Sequence, residues 1–117
     1  MPDDPRLKFV TLIPINLNDG SPVPSDLRDQ ILDEIYIRFG GFSVAGTARG
    51  AYPMMDGHRQ DDTSLIVWIG IEDGQQGELK DYLAEVAVTL GQESMYLEQT
   101  VSTIEFIKPR VSGDQEL

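Results

Sequence analysis

The first apolar run, LKFVTLIPI from Leu7 to Ile15, is almost continuously hydrophobic and rich in β-branched and aromatic residues. A run so short with that composition fits a central strand buried on both faces rather than a helix. NLNDGSPVP follows, and its Asn18, Asp19, Gly20 and two prolines make it a loop. From Ser25 the period changes. Leu27, Ile31, Ile35 and Phe39 recur every fourth residue with Leu32 and Tyr36 beside them, which gives one broad apolar helical face. Ser25 is placed to cap this helix, and Asp26 and Asp29 suit its positive end. Glu34 and Arg38 stand at i, i+4 in the favourable order. Gly40 and Gly41 end the helix in a left-handed turn.

FSVAGTARGAYPM, Phe42 to Met54, reads as a strand broken by glycine, with Phe42, Val44 and Gly46 expected on one face. Gly46 and Gly50 mark a bulge or a close backbone approach, and Pro53 marks an edge or a strand end. MDGHRQDD is a turn around Asp56-Gly57, and SLIVWIGI, Ser64 to Ile71, is a second buried strand. After the loop EDGQQG, a helix from Glu78 to Leu90 carries Leu79, Leu83, Val86 and Leu90 on one face, with Tyr82 and Ala87 alongside and Gly91 as its cap. Gln92 to Lys108 alternates well enough to be extended, as one bent strand or two short ones around Gln99-Thr100.

The order β-α-β-β-α-β predicts a ferredoxin-like α+β sandwich, one antiparallel sheet with two helices on one face. Residues 7–108 form a single domain in this reading, with 1–6 and 109–117 as disordered ends. Strand alternation forbids Val10, Leu12, Ile66 and Trp68 from all pointing at the helices. The uncovered face therefore carries large apolar groups, which motivates a homodimer joined through it.

Composition narrows the function classes. A chain of 117 residues with 40% hydrophobic and 25% charged residues can bury a core without staples. It has no cysteine, so disulfide, zinc-thiolate and cysteine-nucleophile chemistry are excluded. Net charge is -11, and a phosphate backbone is repelled by that field, so direct nucleic-acid binding is disfavoured. MPDDPRLKF lacks the basic start and apolar run of a signal peptide, and no stretch reaches the roughly 20 apolar residues of a membrane helix. The expectation is a soluble cytoplasmic protein with no membrane contact and no cofactor.

Few residues carry candidate chemistry. His58, with Asp56, Asp61 and Asp62 nearby, permits a metal or general-base reading, but no matched histidine supports it and a solvated hairpin tip accounts for it better. GTARGAY lacks the P-loop lysine and does not lead into a helix, so its glycines read as strand bulges, with Arg49 left as a possible anion contact. Gln92, Glu93, Tyr96 and Glu98 gather polar groups near the last strand. Tyr96 and Glu98 share a strand face, whereas Glu93 and Glu98 face opposite ways unless a bulge intervenes. Trp68 reads as core or interface. No G-x-S-x-G serine exists.

The string RFGGFSVAGTARGAY, followed by LGQESMYLE, resembles a pattern in small uncharacterised bacterial proteins: a helix ending in F-G-G, a strand with G-x-[W/Y], and a later Q-E. The matching residues are Phe39, Gly40, Gly41, Gly50, Tyr52, Gln92 and Glu93. Tyr52 stands where tryptophan is usual. The resemblance spans Leu7 to Ile107, implies the ferredoxin-like fold, and brings no activity with it.

Three functional readings remain open from the residues. The first is a small acidic interaction or regulatory protein that binds a protein partner without catalysis. Its special case is a nucleic-acid mimic using Asp29, Asp33, Glu78, Asp81 and Glu85. The second is a dimeric small-molecule-binding domain with its ligand between sheet and helices, lined by Arg49, Tyr52, Trp68, Glu93, Tyr96 and Glu98. The third is a divalent-metal-dependent hydrolase or nuclease using Asp61, Asp62, Glu93 or Glu98.

Overall fold

The computed structural model describes residues 5–110. The elements are β1 (Arg6–Pro14), α1 (Ser25–Phe39), β2 (Ser43–Pro53), β3 (Arg59–Ile71), α2 (Gln76–Leu90) and β4 (Leu97–Ile104). They form one antiparallel sheet in the order β2-β3-β1-β4, so β1 and β3 are central and β2 and β4 are the edges. This is the expected ferredoxin-like α+β sandwich. Of the terminal segments expected to be disordered, residues 1–4 and 111–117 lie outside the described residues, and β1 already begins at Arg6.

Register explains why the two faces of the sheet differ. Phe9 stands opposite Ile69, Thr11 opposite Val67 and Ile13 opposite Leu65. Phe9, Ile13, Val67, Ile69 and Ile71 are buried, and they pack against Ile31, Ile35 and Phe39 of α1 and Leu79, Tyr82, Leu83, Val86 and Leu90 of α2. The intervening residues Lys8, Val10 and Leu12, paired with Gly70, Trp68 and Ile66, point away from the helices. Tyr82 enters the core with its hydroxyl satisfied, donating to the Ile31 carbonyl at 3.1 Å, and burial pushes its pKa up to about 12.

Several local expectations are corrected. Ser25 does not cap α1. The N-cap is Pro24, whose carbonyl accepts the Arg28 N–H at 3.0 Å, and Asp26 takes the Leu27 N–H instead. Gly40 does close α1, at φ 90. Gly46 does not share the face of Val44. The register shifts between Val44, opposite Val67, and Gly46, opposite Ile66, and Gly46 sits at φ 138 in the resulting bulge. β3 starts five residues before Ser64, because Arg59–Thr63 pair with β2 as a ribbon that β1 does not reach. That ribbon is mostly exposed, so no apolar alternation announces it. β4 is shorter than expected, with 92–96 as an irregular connection. Four residues of β4 span what two residues of β1 span between Leu7 and Phe9, a bulge close to the expected bend.

Phe39 joins α1 to the sheet and is 2% exposed. Phe39→Ala is expected to lower the unfolding free energy by about 3–5 kcal/mol in urea titration, the cost of an unfilled core cavity.

Candidate functional site

The core between sheet and helices is filled by side chains, which leaves little room for the ligand that the second reading expects there. The cleft lies instead on the open face, at the end where β1 finishes. Its volume is about 350 Å³. Leu12 and Pro14 of β1 form its floor. Tyr52, Gln60, Asp62 and Ser64 of the β2–β3 ribbon form one wall, and Glu93, Met95 and Tyr96 of the α2–β4 connection form the other.

Each wall is held by identifiable bonds. Thr11 is fully buried, and its hydroxyl donates to the Tyr96 carbonyl at 2.7 Å, tying the connection to β1. Asn18 is a junction. Its side-chain amide donates to the Gly91 carbonyl at 3.1 Å, its side-chain oxygen accepts from Gln92 at 3.0 Å, and its carbonyl accepts from Gln60 at 3.4 Å. The two walls meet where the Met55 N–H donates to Glu93 Oε1 at 2.9 Å. On the ribbon, Tyr52 lies back over Gly50. A Cβ at residue 50 would stand 2.8 Å from the Tyr52 hydroxyl oxygen, so the missing side chain makes room for the ring. The Tyr96 hydroxyl donates to Glu98 Oε1 at 2.8 Å, and this hydrogen bond, with the adjacent negative charge, raises the phenol's pKa. Tyr96 therefore keeps its proton throughout the physiological range.

Of the six residues singled out by sequence, Tyr52, Glu93 and Tyr96 line the cleft and Glu98 adjoins it through Tyr96. Two stand elsewhere. Arg49, next to Gly50 and three positions from Tyr52, is on the opposite side of the ribbon, in a shallow depression with Arg59 and Asp61. Trp68 is farther along the open face, 42% exposed, with Lys8 Nζ 3.9 Å from its ring centroid. Sequence reasoning missed Thr11, Asn18, Met54, Gln60 and Met95, and considered Asp62 only as a metal ligand. The residues around Asn18 are separated by more than forty positions in sequence, and no local signal joins them. The metal reading loses its geometry. Asp61 and Asp62 are adjacent in a strand and point to opposite sides, and no group of three or more His, Asp or Glu is placed to hold a metal ion among the described residues.

The hairpin tip beside the cleft is tightly organised. Met54 and His58 exchange the closing backbone bond, with Met54 N–H donating to the His58 carbonyl at 2.9 Å. Asp56 accepts both the His58 N–H and the Nδ1–H of its ring. The ring hydrogen bond to Asp56 raises the His58 pKa above its ordinary 6.5, with Gln60 and the charge of Glu93 acting in the same direction. No helix among the described residues is long and apolar enough to cross a membrane.

No family model and no curated protein matches the chain. Among solved structures, a phage SAM lyase in complex with S-methyl-5'-thioadenosine is similar, with a TM-score of 0.61 and 16% identity over 88% of this chain and 90% of that one. At that identity the likeness establishes a shared fold.

An NMR titration of His58 is expected to show a midpoint above 6.5 that falls back towards it in Asp56→Asn. Because the folded pKa is raised, this contact's contribution to stability is complete below pH 6.5 and fades as pH rises through the folded midpoint.

Proposed function

We propose that the open-face cleft binds a small molecule combining a flat heteroaromatic ring with a sulfur-bearing side arm, the adenine-nucleoside thioether and sulfonium class. The observation that carries this reading is the composition of one cleft: Tyr52 and Tyr96, Met54 and Met95, and the carboxylates of Asp62 and Glu93. Tyrosine faces suit a planar base. Methionine sulfurs are polarizable and adapt to an irregular apolar arm. Carboxylates accept hydrogen bonds from ribose hydroxyls and attract a sulfonium or ammonium centre. A volume of about 350 Å³ fits one such molecule. The shared fold with a phage SAM lyase solved with S-methyl-5'-thioadenosine supports the same class. The reading sets the protein in the cytoplasm, where such nucleosides are made and consumed.

A second reading, an acidic interaction protein that acts on a protein partner without catalysis, draws support from exposed apolar side chains on and beyond the β4 edge: Val101, Phe106 and Ile107. The two readings separate by which residues matter.

Calorimetric titration with S-methyl-5'-thioadenosine and with S-adenosylmethionine is the test. Saturable binding is expected, weakened about tenfold or more by Tyr52→Ala through loss of the ring's contact area. Glu93→Gln is expected to weaken the cationic ligand more than the neutral one. Absence of binding by either nucleoside at millimolar concentration overturns the ligand reading and leaves the interaction reading ahead.

A further inference from the structure

The open sheet face has a polarity along the strands. At one end Arg6 and Lys8 lie beside Trp68 and Gly70, and at the other end Asp62 and Glu93 line the ligand cleft. Between them Val10, Leu12, Ile66 and Trp68 form an apolar middle that no element covers. Ile66 is equidistant along β3 from Gly70, which stands opposite Lys8, and from Asp62. A two-fold axis crossing the strands over Ile66 therefore places the cationic end of one chain on the anionic end of another. Isologous dimers need a face that is complementary to itself, and here Lys8 at one end and Asp62 at the other supply the complementary pair, Arg6 being already engaged by Glu72 and the Phe39 carbonyl.

We infer that the open face is the contact surface for a second copy of this chain, which puts the second copy's Lys8 over the cleft beside Asp62. The inference does not depend on which ligand the cleft takes.

The net charge of -11 opposes association, but its distribution does not. Asp26, Asp29, Asp33, Glu78, Asp81 and Glu85 are on the helices, on the side away from the open face, and salt screens them beyond roughly 8 Å at physiological strength. Trp68, the chain's one tryptophan, is half-exposed two positions along β3 from the proposed axis and so within the proposed contact, where large aromatic residues contribute strongly to interface energy.

Sedimentation velocity over roughly 0.1 to 100 micromolar, read beside Trp68 fluorescence, tests the inference. A dimer is expected, with Trp68 emission moving to the blue as it forms. Lys8→Glu sets like charges against Asp62 across the contact and is expected to weaken association about tenfold or more. Adding Asp62→Lys to that variant is expected to restore it, since the two residues are too far apart in one chain to couple there. A chain that stays monomeric throughout, or that assembles without moving Trp68 emission, overturns the inference. So does a double variant no stronger than Lys8→Glu alone.

Discussion

Everything in this molecule follows from the burial of one sheet face. Phe9, Ile13, Val67, Ile69 and Ile71 can leave water only beneath two helices, and α1 and α2 supply Ile31, Ile35, Phe39, Leu79, Leu83, Val86 and Leu90 to cover them. Strand alternation then sends Lys8, Val10, Leu12, Ile66 and Trp68 to the other side. Two helices do not suffice to cover both faces. The open face, with its cleft and its half-buried apolar middle, is therefore a consequence of how the core is built.

The cleft depends on a small number of polar ties at one end of that face. Thr11 reaches from inside the core to the Tyr96 carbonyl, and Asn18 gathers the end of α2, Gln92 and Gln60 around one side chain. Glu93 holds the hairpin tip through the Met55 N–H. Each tie joins segments distant in sequence, so the cleft keeps its shape only while the whole sandwich is intact. The same bonds hold Tyr52, Tyr96, Asp62 and Glu93 around one opening, the arrangement on which the proposed nucleoside reading rests.

Much of the architecture was legible in the chain. The period-four apolar face ending at Phe39, the glycine caps at Gly40 and Gly91, and the dense apolar runs of β1 and β3 identify their elements, because each rests on contacts within a few residues. The start of β3 was not legible. Its first five residues pair only with β2, and a ribbon wet on both sides carries no hydrophobic period. Tyr52, Glu93, Tyr96 and Glu98 stood out as polar or aromatic residues in unusual settings, and the fold brings them together. Arg49 stood out for the same reason and falls on the far side of the ribbon, since one position in a strand reverses a side chain's direction.

By itself the sequence determined the element order, the core-facing residues and the apolar character of the uncovered sheet face, since these follow from local period and from alternation. Only the tertiary structure decided that the core between sheet and helices is full, that the cleft opens on the opposite face, that Asn18, Gln60 and Asp62 line it, and that Thr11 anchors its Tyr96 wall from the core side. Those facts depend on the register of β1 with β3 and on where the α2–β4 connection comes to rest, and both are set by packing between segments that share no local pattern.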